Sequence, residues 1–597
     1  MRYLLLFLFA ALVGACNNQP LVADTSTSDK GDEKLANVFD QYWEERMRLF
    51  PIDATQNGDN RYNDRLTLDI SEPFRDTLRI FYTNYLNSIQ QFDRTKLTEN
   101  DQISYDIFKR EMEVQLEGLQ LNEHLIPFQQ FWGLPLTMGQ LGSGESSQPF
   151  KTAQDYRNWL GRAKTFAVWA DTAIANFRKG IAAGYVLPQS LVAKMIPQLQ
   201  DMANPDTAKS VFFGPLRKMP AEVTGDSALK NEFATTITTH LLPAYKRLGD
   251  FLQNEYLPKA RTTTGISSTS NGVARYNYLV RYWTTTNKTP DEIYNTGLAE
   301  VKRIRGEMER IKTQVGFQGD LNAFFVHLRN DPKLMPFKTR EEVLNAFRGI
   351  QQKIEPNLNK MFGRTPKTPF EIRQTEAFRA ASAAAEYQQG TPDGKRPGVF
   401  YVPILDATTF NITSGMESLF LHEAIPGHHY QISLQQENES LPKFRRFSGY
   451  GAYGEGWALY TESLGRELGL YTDPYQYMGA LGDEIHRAIR LVVDVGMHMK
   501  GMTREEAIKY MMDNEAISEQ GAVAEIERYM AIPGQALSYK IGALKIRELR
   551  DKYTQQLGDK FNLANFHDEF LKDGMMPLDI IERKMDAWAN RVASPKV

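Results

Sequence analysis

The sequence predicts a mainly α-helical protein with one small β element. Three observations predict it. Apolar residues recur three and four positions apart along most of the 597 residues, the period of helices that bury one face. Strands are few, and one short run, Gly398-Val399-Phe400-Tyr401-Val402-Pro403-Ile404-Leu405, has the β-branched and aromatic make-up of a strand. Hydrophobic residues make up 42% and charged residues 24%, which suits a globular chain with a large core.

The N-terminus stands apart from this pattern. Arg2 precedes an apolar run from Tyr3 to Ala15, and Cys16 follows. The run is shorter than the ~20 residues of a membrane-spanning helix and reads as a targeting segment. Leu12-Val13-Gly14-Ala15-Cys16 resembles a bacterial lipobox. Residues 1–16 are then a lipoprotein signal peptide with Cys16 as the lipidated residue; the other reading is an ordinary secretory signal. Cys16 is also the only cysteine, which excludes internal disulfides and a cysteine nucleophile. Residues 17–34 are polar and read as a flexible tether. Asn17 is not the aspartate that retains some lipoproteins at the inner membrane, so the expected location is the outer membrane.

Residues 35–597 form the body. A helical N-terminal part runs to about residue 270, and a catalytic part covers 271–597. The Thr- and Ser-rich stretch from Ala260 to Gly272 joins them. Helical spacing covers Leu35 to Phe50, Leu97 to Leu125 and Thr152 to Gly180. It is clearest from Asp291 to Val315, where Ile293, Leu298, Val301, Ile304, Met308 and Ile311 share a stripe and Pro290 opens the helix. Thr339 to Met361 and Pro369 to Tyr387 follow. Pro51 to Asp69 and Gly133 to Phe150 read as loops. The stripes are core packing. In the strand-like run, Pro403 suits an edge strand, which either pairs with an extended peptide or is plain structure; Tyr401 is its substrate-side candidate. Net charge is -3, and no basic field argues for nucleic acid.

The chemistry concentrates in His422-Glu423-Ala424-Ile425-Pro426-Gly427-His428-His429, which holds three of nine histidines. In HExxH helices two imidazoles one turn apart bind zinc and the Glu is the general base. Here the spacing is longer. On a regular helix His428 sits about 120° from the face of His422, and His429 returns to that face roughly 10 Å further along. Neither suits one ion. Pro426 breaks the helix and Gly427 tolerates the resulting backbone. The expectation is a bulged or kinked turn that swings His428 back toward His422, with His429 either a supporting residue or the second ligand itself. The competing reading is a capped helix with incidental histidines.

Downstream lies Gly454-Glu455-Gly456-Trp457-Ala458-Leu459-Tyr460-Thr461-Glu462. Zinc held by two imidazoles and one carboxylate keeps a fourth position open, and Glu455 is the candidate carboxylate. The stretch is similar to the NEGxxxYxE segment of gluzincin zinc aminopeptidases, with Glu455, Gly456, Tyr460 and Glu462 at matching offsets and Gly454 in place of the Asn. The resemblance implies that Glu462 hydrogen-bonds a ligating imidazole. The alternative is an amphipathic helix with two solvated glutamates.

Two later segments are candidates for the substrate side. Asp483 to Lys500 reads as a helix with Arg490, Asp494 and His498 four apart. This is either a solvated ion-pair stripe or a placement of His498 in the cleft. In Arg528 to Lys540, Pro533-Gly534 breaks the chain and a new helix starts near Gln535. Tyr539 is a candidate oxyanion donor, or else a core residue. Arg528 or Lys540 is able to hold a substrate carboxylate.

Pro397 to Val402, His422 to His429, Glu455 to Tyr460, Arg490 to Lys500 and Tyr529 to Tyr539 together resemble a bacterial family known as domain of unknown function 885, many of whose members are lipoproteins. The likeness runs from about Leu35 onward. It implies a large, multi-helical, metallopeptidase-like fold with the β element beside the active site, and supplies no substrate.

The resulting expectation is an envelope-anchored, zinc-dependent hydrolase of peptide or other amide bonds, acting on short peptides. One zinc per chain sits on His422, His428 and Glu455, with Glu423 as general base. The alternative is a non-catalytic helical lipoprotein that captures nutrients beside an outer-membrane transporter.

Overall fold

The computed structural model describes residues 31–375, 384–413 and 415–594. Cys16, the signal peptide and the tether up to residue 30 lie outside the described residues. Among those described, helices dominate and the strands form one three-stranded sheet, so the fold is mainly α. No described helix is long and apolar enough to cross a membrane.

Local capping chemistry sets many helix starts. Near the N-terminus α1 spans Glu33–Leu49, α2 Glu72–Ile89, α3 Glu99–Gly118 and α4 Ala153–Ala183. Next come α5 (Gly272–Thr284), α6 (Pro290–Gln314) and α7 (Arg340–Met361). Thr152, Thr289 and Thr339 each close a reciprocal capping box with the acidic residue three positions on. The sheet follows, with β1 at Phe370–Gln374, β2 at Glu386–Gln388 and β3 at Gly398–Val402. Beyond it lie α8 (Met416–Glu423), α9 (His428–Glu437), α10 (Gly451–Glu462), α11 (Pro474–Met499), α12 (Glu519–Ala531), α13 (Leu537–Leu557) and α14 (Leu578–Ala593).

Several sequence expectations change here. The helix expected from Pro369 to Tyr387 is replaced at its ends by β1 and β2; Phe370 and Ile372 alternate along a strand that β3 pairs in parallel. β3 is the central strand, not an edge, because β2 pairs with its other side. Every residue of β3 is buried, Tyr401 included. Pro403 falls just past the strand, where no ladder donor is required. The loops expected at Pro51 to Asp69 and Gly133 to Phe150 contain the short helices Pro51–Gln56 and Leu134–Gly142.

Two hydrophobic cores interleave along the chain. One gathers α1 to α3, α7, the sheet, α8, α10, α13 and α14. The other gathers α4, much of residues 187–260, α12 and faces of α6 and α11. Both draw on residues from either side of 270. The long pair α6 and α11 packs side by side, and α10 packs across α13. At that crossing a Cβ on Gly456 would lie 2.6 Å from the backbone of Gly542. Only glycine on both helices permits this approach. The crossing ties the helix of Glu455 to the helix of Tyr539.

Candidate metal centre

The His-Glu segment is not one bulged helix. α8 ends at Glu423, and α9 begins at His428. Ala424 (φ -105, ψ -105) and Gly427 (φ -76, ψ -129) carry the break. A side chain at Gly427 would fall within the carbonyl oxygens of His422 and Leu421, so the chain folds tightly back on the end of α8. α10 braces the turn from outside. Trp457 Nε1 donates to the carbonyl of Pro426 at 2.8 Å, and Thr461 Oγ1 donates to that of Leu421 at 2.8 Å.

This fold-back brings His422, His428 and Glu455 together, with one ligand atom from each lying within 4.8 Å of the others. Glu455 Oε2 is 3.5 Å from His422 Nε2 and 3.4 Å from His428 Nε2. The two rings stand at 89° with centroids 4.9 Å apart. Donors about 2.0–2.1 Å from a tetrahedral zinc are separated by roughly 3.4 Å, so these separations fit such an ion. The other nitrogen of His422, Nδ1, is 2.7 Å from Glu462 Oε1. A carboxylate there fixes the tautomer and presents Nε2 to the centre.

Glu423, Glu455 and Glu462 surround two imidazoles. Burial opposes charge on His422, yet its bonds to Glu455 and Glu462 prevail and raise its pKa to about 10. Burial likewise opposes charge on Glu455, but the two imidazoles hold its carboxyl well below the usual range. Glu423 Oε1 is 4.0 Å from His422 Nε2, and burial raises its pKa. The shift is in the direction that makes a carboxyl a better proton acceptor.

The remaining sequence candidates divide. His429 turns away: it is buried, its Nδ1 is 3.0 Å from the Tyr387 hydroxyl, and its ring packs on Phe370. His428 is therefore the imidazole that meets His422. His498 is neither solvated nor in the cleft. Its Nδ1 accepts from the Ile266 amide at 3.2 Å, and its Nε2 lies 3.0 Å from the Tyr529 carbonyl; burial holds its pKa down to about 3. Asp494 is equally buried and receives the Tyr276 hydroxyl at 2.5 Å and the Gly534 amide at 3.1 Å. Lys540 is buried and committed to Glu300 at 2.9 Å and Glu484 at 2.8 Å, so it is not free for a substrate carboxylate. Tyr401 is interior to the sheet. Tyr539 and Arg528 are partly open to solvent, and Arg528 Nη2 is 3.5 Å from the Tyr539 hydroxyl.

Sequence reasoning missed Arg487. It lies on α11, with Nη1 3.2 Å from Asp483 and Nη2 3.9 Å from Glu462. Its charge acts on Glu423 as well, and it feels the charges of Arg490 and Tyr539 in turn. The available signal was Asp483 four residues before it, which a solvated helix pair would share.

A crystal structure of a protein described as a lipoprotein from Colwellia psychrerythraea matches with TM-score 0.84 and 28% identity, over 94% of this chain and 99% of that one. Another, described as a lipoprotein of unknown function from Shewanella oneidensis, matches with TM-score 0.72 and 21% identity, over 92% and 99%. No curated protein matches. The family described as "Bacterial protein of unknown function (DUF885)" matches residues 51–585, most of the 597 residues, and the chain belongs to it.

Proposed function

We propose that the protein is an envelope-anchored, zinc-dependent hydrolase of peptide bonds, acting on short peptides. The observation that carries this reading is the convergence of His422, His428 and Glu455, whose ligand atoms lie within 4.8 Å of one another, with Glu455 Oε2 3.5 and 3.4 Å from the two Nε2 atoms and Glu423 beside them. The anchor rests on the lipobox-like segment ending at Cys16 and on the lipoprotein descriptions of the two similar structures.

A zinc ion bound there would supply Lewis acidity for activating water and polarising a carbonyl. The chain's own residues do the rest. His422, His428 and Glu455 would hold the ion, and Glu462 would keep His422 in the ligating tautomer. Glu423 takes the proton from the attacking water and returns it to the leaving amine. The Tyr539 hydroxyl donates to the oxyanion that forms on the scissile carbonyl.

The test is metal content with peptide hydrolysis. Purified protein should carry about one zinc, the count of a three-ligand catalytic site. Glu423→Gln should keep it while kcat falls about 10²–10⁴-fold, the size of a lost general base. Equal, near-zero zinc in the native protein and in His422→Ala would defeat the proposal. A nutrient-capturing lipoprotein is the second reading; tight peptide or glycan binding without metal or turnover would favour it.

A further inference from the structure

The segment that leads into α13 carries a second set of groups. From Ile532 to Lys540 every side chain is buried except Gln535 and Tyr539. They lie four residues apart at the start of α13, next to partly exposed Arg528 on α12. Arg528 Nη2 donates to Gln535 Oε1 at 3.1 Å and approaches the Tyr539 hydroxyl at 3.5 Å. The first bond occupies the Gln535 amide oxygen and leaves its NH₂ for another acceptor. Neither that NH₂ nor the Tyr539 O–H has an acceptor among the described residues.

The charge here is unbalanced. Arg490 is 5% exposed and lies under Tyr539, 4.6 Å from the ring centroid. Arg490 and Arg528 share one carboxylate, Glu525, at 3.1 and 3.7 Å. Glu525 also meets His486 at 3.4 Å and accepts from the Tyr529 hydroxyl. Lone donors beside an excess cation make a carboxylate site.

We infer that Arg528 and Gln535 bind the C-terminal carboxylate of the substrate peptide, so that the enzyme removes one or two residues from the C-terminus. The inference rests on the hydrolase reading. Tyr539 donates to the oxyanion while Arg528, 3.5 Å away, holds the chain end. With a hydrogen bond of about 2.8 Å on each side, the two anions lie within about 9 Å. That gap spans one or two residues at about 3.5 Å each. Arg490 is a positioning residue that sets the field beneath the phenol.

The test compares N-acylated peptides ending in a free acid or an amide, including amides with Asp or Glu near the end. On zinc-loaded protein the free acids should have kcat/KM about 100-fold higher, the size of one charge-assisted contact, and should release one amino acid or a dipeptide. Arg528→Gln should raise KM for the acids toward the amide value, so that the acid-to-amide ratio of kcat/KM falls toward one. Calorimetry on Glu423→Gln should give about tenfold tighter binding of the acids. Equal cutting and binding of acid and amide, or cleavage inside the chain, would overturn the carboxylate site and leave the hydrolase standing. If zinc-loaded protein cuts nothing, the hydrolase reading falls, and calorimetry decides the carboxylate site independently.

Discussion

Replacing Glu462 tests the metal centre without touching a ligand. Glu462 is 4% exposed, and its Oε1 accepts the Nδ1 proton of His422 at 2.7 Å. Losing a carboxylate behind a ligating imidazole costs about 10–100-fold in metal affinity, or about 1.4–2.8 kcal/mol. The structure places two variants within that range. Glu462→Gln keeps an acceptor for Nδ1–H and loses only the charge, so it should sit near tenfold. Glu462→Ala removes the acceptor and opens the wall toward a cavity of about 390 Å³ lined by Glu300, Arg303, Tyr477 and Lys540. Water from that side competes for the freed Nδ1–H, and the loss should approach a hundredfold. Competition of the metal-free protein against a chromogenic zinc chelator measures both, with circular dichroism to check the fold. Folded variants that both bind zinc within twofold of the native protein would refute the role given to Glu462.

Two other outcomes follow from backbone and burial. Gly427→Ala forces a methyl group into the carbonyls of His422 and Leu421, so the turn must open. Zinc stoichiometry should fall well below one per chain while far-ultraviolet dichroism stays near native; full zinc binding would contradict this account of the turn. Burial raises the Asp494 pKa from 3.8 to about 7. A carboxyl that holds its proton more tightly when folded contributes stability that is complete below about pH 4 and lost as pH rises through about 7, roughly 4 kcal/mol in all. Asp494→Asn lacks this decline. Denaturant melts should show the stability difference between native and variant sloping from pH 4 to 7 and flat beyond; a pH-independent difference would rule it out.

What the sequence conveyed and what it did not divide along local and distant interactions. The helices from Pro290, Thr152 and Thr339 were legible because periodicity and capping are properties of a short window. The strands at Phe370–Gln374 and Glu386–Gln388 were not, because a strand forms only where a partner is offered, and the partner is β3. His498 and Lys540 were misplaced for the same reason. The partners of His498 are Ile266 and Tyr529, 232 and 31 residues away, and Lys540 is claimed by Glu300 and Glu484. A cation meant for substrate and one neutralised across the core look alike in sequence. The convergence of His422 with His428 was anticipated because proline and glycine between them make a straight helix untenable. The form of the break was not, since the Trp457 and Thr461 bonds that brace it come from α10.

The geometry of α10 explains why two glutamates seven residues apart belong to one centre. Seven residues return to the same helix face about 10 Å further along. That gap is filled by one imidazole: Glu462 takes Nδ1 of His422 at 2.7 Å, and Glu455 faces Nε2 at 3.5 Å. A rigid helix thus sets both the ring's orientation and the third donor, so neither depends on loop conformation. Gly456, between them in sequence, faces Gly542 of α13 rather than the centre. The same helix thereby fixes where Tyr539 and Gln535 stand relative to the donors. Widening that crossing by one methyl group would shift α13, which carries Tyr539, relative to α10, which carries Glu455. The glycine therefore sets the spacing between α10 and α13, and its place directly after Glu455 is a packing requirement of that contact.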